Sequence, residues 1–247
     1  MKNFRDFLRE NSSYVSEAQT TKTSKNKIIP KNLRELQEIV KDDDVYLGDI
    51  VIPKNITSLA SLFIFNRKRK DFSGLETWDV SHITDMSGMF DSCKNFTGKE
   101  IENWNVSNVT NMGLMFVDCE KFNANLSKWD IRSVEKTAFM FQNCKNFTGK
   151  GLERWNTKNI KNMMGMFKGC EKFNIDLSYW RTYNLEKMMY VFQDCRSFTG
   201  KGLETWNLSS VKVMGYDLTN TKVDVHHLPE EFVRKFEELD LDFKGEM

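Results

Sequence analysis

Six tryptophans divide this chain of 247 residues at nearly constant intervals. They are Trp78, Trp104, Trp129, Trp155, Trp180 and Trp206, and a longer interval alternates strictly with one that is a single position shorter. Such regular spacing is typical of a repeat protein, in which each short unit packs on the next and buries a continuous core. The spacing therefore predicts one elongated stack of repeats, an architecture that favours binding over catalysis.

The cysteines keep the same period and occupy one position of the repeat. They are Cys93, Cys119, Cys144, Cys170 and Cys195. In a stack of repeats they form a column that points in one direction, so we expect buried, reduced thiols that pack as small apolar groups. Neither a disulfide nor a metal site is expected, because stacked side chains of this kind do not converge.

The repeat spacing M-x-x-M-F-x-x-C-x-x-F is similar to the frame of leucine-rich repeats, with Met and Phe in the leucine positions. It predicts a leucine-rich-repeat solenoid with one short strand per repeat, for example near Met115–Val117. About seven such rungs would form a parallel β-sheet, with turns and irregular segments on the return side. Helical patterns at 31–41 and 229–239 predict short helices that cap both ends.

These patterns divide the chain into four regions. Residues 1–27 are predicted to be a targeting peptide or a flexible tail, 28–55 an N-terminal cap, 56–218 the solenoid, and 219–247 a C-terminal cap with a helix. The formal net charge of +1 gives no general bias toward nucleic acid or membrane. No apolar run approaches a membrane span, and the first ten residues lack the apolar centre of a signal peptide. We therefore expect a non-secreted protein without a membrane partner.

The residues W-D-V-S-H-I-T-D-M-S-G-M-F-D-S-C-K-N-F at 78–96 resemble the repeat of BspA-like leucine-rich-repeat surface proteins. The resemblance covers about residues 56–218. It implies a protein without catalytic activity, because members of that family are similar in being non-enzymatic. Many of them are bacterial surface proteins that adhere to other proteins.

The first ten residues, MKNFRDFLRE, resemble the capsid-targeting peptide of internal head proteins in T-even-type phages. That resemblance implies cleavage after Glu10, or after Glu17 at a second matching site. It also implies a location in the head interior of a virion, with the host cytoplasm as the alternative. An ordinary amphipathic helix with Phe4, Phe7 and Leu8 on one face explains the same residues without a phage.

Two surfaces are candidates for binding a partner. Side chains beside the Met-Phe pairs change from repeat to repeat while the frame stays constant, so they are the predicted binding face. This face comprises Asp91, Leu114, Val117, Phe139, Gln142, Met164, Lys168, Tyr190 and Gln193. The second candidate is an aromatic ladder of Phe90, Phe116, Phe141, Phe167 and Phe192 on the outer face of the sheet. Burial of most of that ladder is the competing interpretation, because six exposed aromatic rings with Phe63 would lower solubility.

A basic run at Arg67, Lys68, Arg69 and Lys70 could contact phosphates or an acidic protein, although a solvated loop explains it as well. No catalytic residue, metal ligand or cofactor is expected, because the three histidines have no partner at a catalytic or metal-binding spacing. We therefore expect a monomeric protein-protein interaction module with a protein partner and no nucleic-acid partner. The alternative is a structural or decorative virion component with no host partner.

Overall fold

The computed structural model describes residues 27–239. Its two α-helices in that range are α1 (Leu33–Val40) and α2 (Glu230–Leu239), and the repeats lie between them. Short 3-10 helices occupy Leu47–Asp49, Leu75–Thr77, Lys99–Ile101, Leu203–Thr205 and Val225–His227. Successive repeats stack as coils, joined by single parallel β-bridges. These bridges link Ser58, Asp85, Asn111, Lys136, Asn162, Lys187 and Val213 in that order.

The predicted parallel β-sheet is wrong, and with it the predicted leucine-rich-repeat solenoid. Residues 27–239 contain isolated bridges but no β-strand and no sheet. The segment expected to be a strand, near Met115–Val117, consists of turns. It therefore lacks the extended backbone that the leucine-rich-repeat frame requires.

Overlapping turns replace the strand, and the coil that contains Leu114 shows how. The backbone N–H of Met115 donates to Met112 O (3.3 Å), and that of Val117 donates to Leu114 O (3.3 Å). Leu114 has φ +62°, a left-handed conformation outside the β region. These N–H groups are used within the coil, so a ladder of extended strands cannot form.

The remaining N–H groups hold the stack together. In the same coil, Leu114 N donates to Ala138 O and Phe116 N donates to Met140 O, each over 2.8 Å. Met112 and Asp118 make equivalent bonds to the next coil, and this set of four recurs at each step from the first coil to the seventh. Alternate peptide groups thus bond between coils while their neighbours close turns, which satisfies the buried backbone without a strand.

Aromatic side chains fill the interior of the stack. Phe116 stacks on Phe141 of the next coil, with ring centroids 5.5 Å apart, and on Phe122 of its own coil at 4.2 Å. Trp129 reaches Phe116 from the other wall of the coil at 6.3 Å. Its indole N–H donates to Ile101 O over 3.0 Å, so this buried polar group is satisfied.

Both members of each Met-Phe pair point into this core, because the turns remove the alternation of a strand. The five phenylalanines of the predicted ladder are fully buried: Phe90, Phe116, Phe141, Phe167 and Phe192. They therefore form no exposed aromatic surface, and a binding face must be built from other residues.

One side-chain contact recurs with the period of two repeats. Asn123 Oδ1, in one of the shorter units, accepts hydrogen bonds from the backbone N–H and hydroxyl of Thr148 in the longer unit that follows, both over 3.1 Å. Asn174 and Thr199 repeat this contact. A shorter unit and the longer unit that follows it are therefore joined by a side-chain contact that recurs along the stack.

The two expected terminal helices are confirmed. Asn32 begins α1 by accepting a hydrogen bond from the Glu35 backbone N–H over 2.9 Å. Gln37 of α1 donates to the Ala60 carbonyl of the first coil over 3.4 Å, so the helix covers a carbonyl group at that end. At the other end, α2 buries Phe232 and Phe236.

Candidate interaction surfaces

A left-handed residue precedes the buried Met-Phe position in every coil. These residues are Ser61, Gly88, Leu114, Phe139, Gly165, Tyr190 and Tyr216, with φ between 54° and 63°. Glycine adopts this conformation without strain, whereas a bulky L-residue pays roughly 1–2 kcal/mol. Four coils carry such a residue, which we call the left-handed stripe: Leu114, Phe139, Tyr190 and Tyr216. The strain makes these positions candidates for function.

Two side chains of the left-handed stripe, Phe139 and Tyr190, lie over the next coil. The Phe139 ring covers Gly165, where an added Cβ would lie 2.3 Å from the ring. Tyr190 stacks on Tyr216 with centroids 5.4 Å apart, and Lys168 Nζ lies 5.0 Å from the Tyr190 ring. The rings of Phe139, Tyr190 and Tyr216 are therefore held in place by their packing.

The other residues of the predicted binding face lie beside this stripe. Leu114 is 46 % exposed, and the remaining eight are partly exposed, so the structure leaves all nine accessible. Asp91 accepts a hydrogen bond from the Ser92 hydroxyl, and burial raises its pKa. Sequence reasoning missed Tyr216, because its coil has Asp217 and Leu218 in place of Met-Phe. Its offset from Tyr190 equals that of Leu114 from Gly88, and this regularity could have revealed it.

Two methionines are more exposed than the others in the described part of the chain. Nine of the eleven methionines in the described part of the chain are at most 1 % exposed. Met164 and Met189 are partly exposed, at the same position of neighbouring coils and next to the left-handed residues. Their flexible thioethers add adaptable apolar surface beside the aromatic rings.

One residue of the basic run is buried, and the other three are exposed. Arg69 is 2 % exposed, and its guanidinium donates to the carbonyls of Val40 (3.4 Å) and Asp42 (2.6 Å) at the end of α1. Burial lowers its pKa, although Asp43 opposes this effect. Arg69 therefore fixes the N-terminal helix to the first coil. Arg67, Lys68 and Lys70 remain exposed.

In residues 27–239, the His82 side chain lies between two neighbouring coils. His82 Nε2 lies 3.2 Å from Pro53 O, so this side chain joins two neighbouring coils. Within that range, no three His, Cys, Asp or Glu side chains are grouped as metal ligands. Among the helices between residues 27 and 239, none has the length and hydropathy of a membrane span. The proposed cleavage sites at Glu10 and Glu17 lie outside the described residues.

The five thiols are free and buried, and each donates to a phenylalanine carbonyl of the preceding coil. Cys144 Sγ, for example, lies 3.0 Å from Phe116 O. Burial raises the pKa of the Cys93 thiol to about 12 and raises that of the other four above the ordinary value. At neutral pH these buried thiols are almost entirely protonated. Because the thiolate is the reactive form, we assign them a structural role rather than a redox role.

The raised thiol pKa values predict an alkaline loss of stability. Above about pH 9 a thiol ionises in the unfolded chain but stays protonated in the fold, so its stabilisation is present at lower pH and is lost as pH rises. Each buried thiol should then lower the free energy of unfolding by about 1.4 kcal/mol per pH unit. Cys144→Ala should make the slope shallower by that amount in urea titrations at several pH values. An unchanged slope would contradict the assignment.

The strain at Leu114 predicts an unusual order of stability. Leu114→Gly and Leu114→Ala both remove the side chain, but only glycine relaxes the left-handed backbone. The glycine variant should therefore be more stable than the alanine variant by about 1 kcal/mol in urea unfolding. Gly88→Ala, at the equivalent position, should be destabilising by a similar amount. Equal stabilities at position 114 would show that the backbone is unstrained.

These observations define a repeat protein in which coils of two alternating lengths stack around an aromatic core. The chain belongs to the family described as "Mycoplasma protein of unknown function, DUF285", whose model matches residues 57–151 and 149–228. The two matched segments cover the stacked repeats. No curated protein and no solved structure matches the chain.

Proposed function

We propose that this chain is a non-catalytic protein-protein interaction module whose left-handed stripe contacts the partner. The observation that carries this proposal is the placement of bulky, accessible residues where the backbone favours glycine. Leu114, Phe139, Tyr190 and Tyr216 all have this property, whereas Gly88 and Gly165 show that the fold accepts glycine there. Strain kept at an exposed surface is consistent with selection for contact rather than for stability.

The chemistry of this surface suits a protein partner. Tyrosine and phenylalanine rings supply large contact areas with few rotatable bonds, and they are frequent among residues that dominate binding energy. Met164 and Met189 add apolar surface that adapts to a partner's shape. The stacked core holds these side chains on a regular scaffold, which reduces the entropy lost on binding.

The resemblance to BspA-like repeats supports the same function, since many proteins of that family adhere to other proteins. The alternative of a virion component rests on the first ten residues. Those residues lie outside the family match at 57–228 and outside the described chain. That alternative stays a prediction, and the mass of the mature N-terminus in the native source tests it.

The stripe is tested with two matched double variants. Tyr190→Asn with Tyr216→Asn removes two rings at left-handed positions that asparagine tolerates. The control, Tyr179→Asn with Tyr183→Asn, removes two exposed tyrosines elsewhere on the protein. Proteins from a lysate of the native source are captured on wild type and on both variants, after circular dichroism has shown equal folding. A partner retained by wild type and the control, but lost from the Tyr190/Tyr216 variant, supports the proposal.

Oxidation with hydrogen peroxide gives a second, independent readout. Met164 and Met189 should be the first described methionines converted to sulfoxides, because the other nine are buried. A captured partner should slow oxidation at these two residues, as measured by peptide mass spectrometry. A partner that binds the Tyr190/Tyr216 variant equally well, or leaves both rates unchanged, would contradict a role for the stripe.

A further inference from the structure

We infer that three neighbouring coils form a second site, on the wall around Trp129, Trp155 and Trp180, for single-stranded nucleic acid. Cations and tyrosines occupy outward positions beside these tryptophans. They are Lys128, Arg132, Arg154, Lys158, Tyr179, Arg181 and Tyr183, and all seven are exposed. We call this set the basic-aromatic patch. It is separate from the basic run at 67–70.

The same positions in the other coils carry no cation. Beside Trp78, Trp104 and Trp206 they hold Thr77, Asp79, Ser81, Asn103, Asn105, Ser107, Thr205, Asn207 and Ser209. The positive charge is therefore concentrated on three adjacent coils of a chain whose net charge is only +1. A local concentration of this kind attracts a polyanion even when the whole protein is nearly neutral.

The cations of the patch are largely available for phosphates. Lys158 and Arg181 form no ion pair with another described residue, and Lys128 contacts only the neutral Asn103 side chain (2.6 Å). Arg132 is the exception, since it pairs with Asp130 at 2.6 Å, although 68 % of its side chain is exposed. Glu153 is a second acid, which lines the same cavity as Arg132 and Arg154. Asp176, three residues before Tyr179, is already paired with Lys201 at 2.9 Å.

A shallow cavity of about 480 Å³ connects two of these coils. Arg132 and Arg154 both line it, together with the edges of Trp129 and Trp155. A strand that follows the coils could therefore place a sugar-phosphate segment between the two guanidinium groups. Their planar N–H donors suit bidentate contacts with phosphate oxygens.

The tyrosines decide the chemical class of the polyanion. Tyr179 and Tyr183 are 61 % and 44 % exposed, and the Arg154 guanidinium lies 5.7 Å from the Tyr179 ring centroid. Accessible rings beside a basic track are the arrangement that binds single-stranded nucleic acid, because bases stack on the rings while phosphates meet the cations. An acidic protein would use the charges but would gain little from the flat rings.

The basic-aromatic patch and the left-handed stripe lie on opposite walls of the stack. Phe141, next to the stripe, points into the core and meets Trp155 at 6.5 Å from the other side. The residues that flank Trp155 therefore face away from the stripe. Binding at the patch is independent of the proposed protein interaction, so each can fail without the other.

The test measures fluorescence anisotropy of the full chain with an oligothymidylate of about 20 nucleotides. Arg132→Gln/Arg154→Gln/Arg181→Gln should weaken binding at least tenfold and reduce the slope of log affinity against log salt by about 2. The control Lys94→Gln/Lys121→Gln/Lys145→Gln removes three exposed cations from other positions and should leave both values unchanged. Tyr179→Asn with Tyr183→Asn should weaken binding at least fivefold at constant charge.

A polyglutamate peptide of equal charge distinguishes the two classes of polyanion. The inference predicts that it binds more weakly than the oligothymidylate and does not respond to loss of Tyr179 and Tyr183. Equal affinity for both ligands, with no effect of the tyrosine variant on either, would overturn the inference in favour of an acidic protein. Absence of measurable oligothymidylate binding at low salt would also overturn it, and so would equal losses in the triple variant and its control.

Discussion

Replacing Gly151 by alanine is expected to lower the free energy of unfolding by about 2 to 5 kcal/mol, from left-handed strain and overpacking together. Gly151 has φ +93°, and a Cβ there would lie 2.3 Å from the Ser127 backbone nitrogen and 2.8 Å from that of Leu126. Backbone atoms cannot move away as a flexible side chain can. The clash would therefore separate two coils in the middle of the stack.

Gly113→Ala is the matched control, and urea unfolding measures both variants. Gly113 has no positive φ, and its nearest neighbours would lie 3.4 Å from an added Cβ. Its substitution should change stability by less than about 1 kcal/mol. Similar losses at both positions would mean that the close contact at Gly151 does not exist.

Phe141→Ala should lower the free energy of unfolding by about 3 to 5 kcal/mol, because it leaves a cavity among packed rings. Phe141 is fully buried. Its ring centroid lies within 5.8 Å of the ring centroids of Phe116, Phe147 and Phe167. Phe139, two residues earlier, is partly exposed and lies over Gly165. Phe139→Ala should therefore have an effect below about 1.5 kcal/mol.

Comparing Phe139→Ala with Phe141→Ala also distinguishes the observed turns from the predicted strand. Residues two apart in a strand share one face, so a strand would give Phe139 and Phe141 similar environments and similar effects. Turns with a left-handed residue at 139 direct one ring outward and the other inward. Equal destabilisation by the two variants, measured by urea unfolding, would contradict the turns and agree with an extended strand instead.

The repeat was visible in the sequence because stacking requires the same side chains at the same place in each coil. Trp129 and Cys144 occupy buried positions that recur with an unbroken period, and the two terminal helices follow from apolar spacing and the Asn32 cap. The strand was misread because Met and Phe occupy leucine positions of a familiar frame. Their spacing does not reveal that the residue before them is left-handed.

The candidate surfaces were predictable only in part. Leu114, Phe139 and Tyr190 could be selected as variable positions, but their strain became visible only as positive φ angles. Arg69 belongs to a basic run in the sequence, yet its guanidinium is used on carbonyls at the end of α1. The basic-aromatic patch joins residues from three coils, each separated from the next by a full repeat, so no local pattern identifies it.

The sequence by itself determined that this protein is a stack of alternating units in which tryptophans, thiols and phenylalanines recur at fixed positions. Periodicity carries that information because each unit is too short to bury its apolar side chains alone. Only the tertiary structure decided how the backbone crosses each coil and which side chains reach solvent. The reason is that hydrogen bonds between coils compete with turns within a coil, and residues far apart in the chain settle that balance.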